Sequence, residues 1–276
     1  DAIDAVVLSG GSVYGLEAAS AVTTWLGARG RGFQVPSSPL AAPIVPAAIL
    51  FDLANGGGKD WGETPPYGAL GRTACEAAGE DFALGSHGAG MGAIAGPLKG
   101  GLGSASIVSD AGLAVGALVA VNAIGSPVVP GSAAFWAAPF EIDGEFGAVP
   151  MGSPAGIAAR APFEETKLAR TGTDQPANTT IAVIATNAAL TPVEAKRLAI
   201  MAHDGLARAL RPAHTPFDGD TVFALATGVV DLPEPRPRAV AALGALGADT
   251  LARAIARGVY EAEGIAKIVS YRDRYG

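Results

Sequence analysis

Apolar residues in this chain fall into short β-branched runs and longer helical stripes, punctuated by glycine and proline. Ala2 to Leu8 reads as a short buried strand, Ser9-Gly10-Gly11 as a turn, and Val13 to Leu26 as a helix. Proline-rich Val35 to Pro46 leads into a second strand over Ala47 to Leu53, followed by a loop over Asn55 to Pro66 and a helix over Tyr67 to Gly79. Leu102 to Ser109 and Leu113 to Asn122 predict two strands, joined by Asp110-Ala111-Gly112, whose residues suit a hairpin turn. Gly125 to Gln175 is polar, rich in Gly and Pro and weakly periodic; a loop of that length in a compact domain points to function or cleavage rather than simple connection.

Strong β-propensity returns abruptly at Thr179 to Thr186. Thr191-Pro192-Val193-Glu194 then combines a capping threonine, a proline in the first turn and a glutamate three residues after the cap, which predicts a helix through about Leu210. Asp220 to Thr227 reads as a strand and Arg238 to Glu263 as a long alanine-rich helix. Strands and helices alternate without a repeat, so layers of helix on sheet follow, although periodicity leaves one sheet or two equally open.

Composition narrows the class. With 276 residues, 49% of them hydrophobic, the chain can fill a substantial core, and no stretch approaches about 18 uncharged apolar residues in a row. A net charge of −7 without a Lys/Arg cluster argues against a nucleic-acid surface and favours small-molecule or peptide substrates. Cys75, the single cysteine, is expected as a packed core residue and is compatible with a reducing, cytoplasmic setting. The chain opens on a strand with neither a methionine nor a signal-peptide pattern, so the natural protein is expected to begin earlier.

Several chemical templates fail. Ser9 to Gly15 lies between strand and helix, where phosphate loops and nucleophile elbows occur, but it lacks the Gly-Lys-Ser/Thr ending, and Tyr14 stands where the last glycine of G-x-S-x-G belongs. His87, His203 and His214 lack the spacing of a helical metal site and read as structural or surface residues. Asp218-Gly219-Asp220 places two carboxylates before a strand; they can share acid and base work, bind Ca²⁺ weakly, or simply make a turn. Taken alone, Lys99 in Gly96-Pro97-Leu98-Lys99-Gly100-Gly101 reads as a solvated turn residue and Asn122 as a strand-end cap.

The segment Gln175-Pro176-Ala177-Asn178-Thr179-Thr180-Ile181-Ala182-Val183 resembles the processing site of the P1 peptidases, the group of the aminopeptidase/D-amidases, β-aminopeptidases and nylon-oligomer hydrolases. Further motifs recur in order, from Val6 to Leu16 through to Asp218 to Ala224, so the resemblance covers nearly the whole chain. It implies an αββα-type α/β sandwich, shared with ornithine acetyltransferase, as a single unit over residues 1–276 that breaks at Asn178/Thr179 into an α part (1–178) and a β part (179–276). Thr179 would be the nucleophile, its freed α-amine (reference pKa about 7.7 to 8.0) serving as its base without any histidine.

The same resemblance assigns Asn122 to the oxyanion, Lys99 to the surroundings of the nucleophile, and Asp218 and Asp220 to orienting Thr179; the acidic pair matches the nylon-hydrolase-like branch, while the aminopeptidase branch has Ser-x-Glu there. Thr180, facing the other side of a strand, would be packing. The implied reaction is amide or peptide hydrolysis without metal or organic cofactor, in a homo-oligomer with no nucleic-acid or membrane partner. Its alternatives are acyl transfer to an amine, as in ornithine acetyltransferase, and an unprocessed binding protein.

Overall fold

The computed structural model describes residues 2–110, 112–152, 163–171 and 178–276. Strand β1 (Val7–Ser9) pairs in parallel with β2 (Ala47–Ile49). Between them runs helix α1 (Leu16–Gly27), entered through a 3-10 turn at Ser12–Gly15, and α2 (Tyr67–Glu76) packs against α1. A short antiparallel pair, β3 (Ile94–Ala95) and β4 (Leu98–Lys99), precedes the main sheet. That sheet has the order β5 (Leu102–Val108), β6 (Ala114–Ala120), β7 (Ile181–Ala188), β8 (Thr221–Val230), antiparallel except for the parallel pair β7 and β8.

Helix α3 (Lys167–Thr171) comes before β7, and α4 (Pro192–Ala202) with α5 (Asp204–Ala209) lies between β7 and β8, as a parallel pairing requires. The long α6 (Arg236–Tyr260) packs on β5 and β6, and the short α7 (Tyr271–Tyr275) closes the chain. Close approach of α6 to β5 depends on glycine: a Cβ on Gly103 would sit 1.9 Å from the carbonyl oxygen of Ala254. By length and composition α6 could cross a membrane, but 67% of its apolar window is buried against the protein, which makes it the core helix.

Four layers result. Helices α4 to α6 cover one face of the main sheet. On the other face Ala120 and Ile181 pack with Leu8, Ala48 and Leu50, which carry β1 and β2, and α1 and α2 lie outside those strands. This is the expected αββα sandwich, with two strands among the described residues of the outer sheet.

Several elements differ from the sequence reading. Only the end of the Ala2 to Leu8 run is strand, and only Ala47–Ile49 of the next, because each has a three-residue partner. The helix predicted through Leu210 carries the expected reciprocal Thr191/Glu194 cap but divides at His203. The stretch after Gly125 is no simple loop: Val128, Phe135, Ala137 and Phe146 are buried core, each large side chain contributing roughly 1.5–3 kcal/mol. Glu145 fastens that stretch to α6 through Arg253 (2.5 Å). Cys75 is half-buried rather than a core residue, since α2 covers only one side of the molecule.

Candidate active site

The motifs meet because of strand direction. Asn122 follows the end of β6, while Lys99, Thr179 and the Asp218/Asp220 pair precede the starts of β5, β7 and β8, which run opposite to β6. All five therefore lie at one end of the sheet. There Thr179 is held on both sides: its N–H donates to the Asn122 carbonyl (3.1 Å), and the flanking residues pair with the approach to β8 through Asn178 N–H to Phe217 O (3.3 Å) and Thr221 N–H to Thr180 O (3.0 Å).

The carbonyl of Asn178 is the focus. It accepts the Gly219 N–H at 2.9 Å and the Thr179 hydroxyl at 2.5 Å, so the carbonyl between Asn178 and Thr179 is held by a neighbouring hydroxyl and a backbone donor. Gly219 has no side chain to intrude; a Cβ there would be 3.0 Å from Thr179 Oγ1. Thr180 is fully buried, as expected for a packing residue, with its hydroxyl unpartnered. Gln175 to Ala177 of the processing motif lie outside the described residues.

Among the described residues the aspartates' carboxylates bond to neighbours of Thr179 and to other segments. Asp218 accepts from the Thr215 N–H (3.0 Å) and hydroxyl (2.8 Å) and, at 3.5 Å, from the Ile124 N–H. Asp220 accepts from the Thr180 N–H (2.9 Å) and lies 2.9 Å from His214 Nδ1. Burial raises the Asp220 carboxyl; the Thr180 N–H opposes that shift, and repulsion from Asp218 adds to it.

Asn122 is fully buried, with its amide donating to Phe51 O (2.8 Å) and its side-chain oxygen accepting from Ile94 N–H (3.0 Å), Asn55 (3.3 Å) and Lys167 (3.2 Å). The side chain is thus oriented by backbone groups on two segments. Lys99, far from being a solvated turn residue, is fully buried, and its ammonium donates to Gly90 O (2.6 Å) and Gly100 O (2.7 Å). Burial pulls it down to about 8 against the opposing field of Asp52.

Four participants escape the sequence reading. Asp52 accepts the Gly11 N–H (2.8 Å), so the Ser9-Gly10-Gly11 turn binds a carboxylate of its own chain; a polar residue ending an apolar strand was the available signal. Asn55 ties Asn122 to Gly92 O. His214 reaches Asp220 and lies 5.3 Å, ring to ring, from His203, a pairing that no spacing announces. Lys167 donates to Asn178 Oδ1 (2.5 Å), and burial, against the field of Asp218, draws it down to about 7.

Both lysines bind a proton less tightly folded than unfolded. Their contribution to stability is therefore complete only above the unfolded value of 10.5 and is lost as pH falls through about 8 for Lys99 and about 7 for Lys167. Resistance to urea is expected to rise from about pH 7 to about pH 10, by up to about 1.4 kcal/mol per pH unit for each lysine. Lys99→Met should remove its share of the rise; an unchanged pH dependence in that variant would refute the assignment.

The helix, sheet, sheet, helix layering is that of the N-terminal-nucleophile hydrolase fold, and Thr179 stands at the head of a central strand. An L-aminopeptidase D-Ala-esterase/amidase from Ochrobactrum anthropi has this fold and superimposes with a TM-score of 0.66 over 95% of this chain and 69% of its own, at 22% identity. The chain belongs to peptidase family S58, whose family model matches residues 2–270, which makes it an enzyme that hydrolyses peptide or other amide bonds. It is 47% identical over 282 aligned positions to an uncharacterized aminopeptidase of Mycobacterium tuberculosis, spanning 99% of this chain and 78% of that protein. It is 30% identical over 236 positions to a 6-aminohexanoate-oligomer endohydrolase of Kocuria, spanning 83% of this chain and 62% of that protein.

Proposed function

We propose that the chain cuts itself between Asn178 and Thr179 and then hydrolyses amides through an acyl-enzyme on Thr179. The observation that carries this reading is the Asn178 carbonyl bracketed by the Thr179 hydroxyl and the Gly219 N–H. Attack of Thr179 Oγ on the Asn178 carbonyl carbon forms a C–O bond, breaks the C–N bond and leaves the hydroxyl proton on the departing nitrogen. Water then adds to the ester carbon, restoring the threonine hydroxyl and leaving a carboxylate on Asn178. The freed α-amine becomes the base for substrate turnover. Lys99, Asn122, Asp218 and Asp220 serve as the frame: the Asn122 carbonyl holds the Thr179 N–H, Asp220 holds the Thr180 N–H, Asp218 ties Ile124 to Thr215, and Lys99 braces the Gly90 and Gly100 carbonyls.

The α part (1–178) and β part (179–276) would remain one folded unit, because β7 sits between β6 of the first and β8 of the second. Peptides and small oligoamides are the proposed substrates. A homo-oligomer is the proposed assembly, and the unpaired Cys75 supports a reducing, cytoplasmic setting. Intact-mass measurement on the purified full-length protein is expected to give two fragments, the smaller beginning at Thr179. A chain that stays whole through prolonged incubation would overturn the proposal.

A further inference from the structure

The cation that touches the scissile residue is Lys167, from a segment with no sequence motif. Its backbone N–H donates to Ile124 O (3.1 Å), which pins it beside the Asn122 segment, and the neighbouring Thr166 is fully buried. From that anchor the ammonium donates to two side-chain oxygens, Asn178 Oδ1 at 2.5 Å and Asn122 Oδ1 at 3.2 Å. Asn178 is only 3% exposed and its Nδ2 has no partner, so the hydrogen bond from Lys167 is what orients this side chain among the described residues. Lys99 cannot substitute, because its ammonium is turned onto the Gly90 and Gly100 carbonyls.

We propose that Lys167 is a positioning residue for self-cleavage, clamping the Asn178 side chain to Asn122 and so holding the peptide before Thr179 against the Gly219 N–H. This rests on the self-cleavage reading above. The Asn178 backbone is held by Phe217 and Gly219, but among the described residues its side-chain amide has Lys167 as its hydrogen-bond partner while its nitrogen goes unsatisfied. Removing the ammonium lets Asn178 turn toward partners elsewhere and carries the carbonyl out of line with the hydroxyl, where small misplacements are costly in rate. The clamp requires a side-chain acceptor on the residue before the cut, which asparagine offers and leucine does not. Once the bond is cut, the same ammonium faces the residue that has gained a carboxylate, which favours retention of the α part's new end.

The test follows the appearance of the two fragments by intact mass, starting from freshly refolded full-length precursor. Lys167→Met and Asn178→Leu are each expected to slow cleavage at least tenfold, the double variant no further than the slower single, and Lys167→Arg, which keeps the charge and donors, to recover most of the rate. Circular dichroism establishes that each variant folds; if Lys167→Met does not, Asn178→Leu and Lys167→Arg still decide. Cleavage of Lys167→Met at the parental rate, or slowing in the two singles that multiplies in the double, overturns the clamp while leaving self-cleavage intact. An uncut parent overturns both.

Discussion

Thr179→Ala is expected to yield a single uncut chain with no amide hydrolysis above background, while Thr179→Ser still splits. Removing the hydroxyl removes the group that the proposed reaction uses against the Asn178 carbonyl, and loss of a nucleophile that works as part of a unit costs on the order of 10⁶ in rate. On the timescale of purification that is no cut at all. The fold should tolerate the change: Thr179 is half-buried, alanine keeps the N–H bonded to Asn122 O, and the lost hydroxyl contact is worth about 1 kcal/mol. Intact mass and hydrolysis of a chromogenic amide measure the two effects separately. Scission of Thr179→Ala at the same bond would mean that another group, such as the Asn178 side chain itself, performs the cut.

How far such a site can be read from sequence depends on which interactions are local. The Thr191/Glu194 cap was legible because both partners lie within one helical turn, and the strands of the main sheet because β-branched residues concentrate there. The break at His203 was not: the helical pattern continues across it and His203 keeps helical dihedrals (φ −54°, ψ −30°), while Gly205 lies close against Ala248 and Leu251 of α6. Likewise the stretch after Gly125 is irregular in backbone yet carries Phe135, stacked on Tyr271 at 4.5 Å, so its core role depends on a residue 136 positions away in sequence.

The site divides in the same way. Motif resemblance named Lys99, Asn122, Thr179, Asp218 and Asp220, and strand direction explains their convergence at one end of the sheet. What it could not supply was the pattern of contacts. Residue types at strand ends do not say that Asn122 would spend its amide on Phe51, that Asp220 would hold Thr180 rather than Thr179, or that a lysine from α3 would reach Asn178. Those are tertiary facts, fixed by register and by which buried polar group lacks a partner.

The second large effect is expected at Gly219, and it tests the backbone rather than a side chain. Its N–H lies 2.9 Å from the Asn178 oxygen, where negative charge would develop in the proposed attack by Thr179. Gly219→Pro deletes that donor, and loss of one such donor is expected to slow self-cleavage by about 10²–10³-fold, or roughly 2.7–4 kcal/mol of barrier. Gly219→Ala keeps the donor and adds a Cβ 3.0 Å from Thr179 Oγ1, an atom at the end of a rotatable side chain that can give by a few tenths of an ångström, so it should cut within about tenfold of the parent. The contrast between the two is the measurement, with thermal melts confirming that both variants fold. Equal slowing in proline and alanine would assign the effect to crowding of the hydroxyl, and a proline variant that cuts at the parental rate would remove the Gly219 N–H from the mechanism.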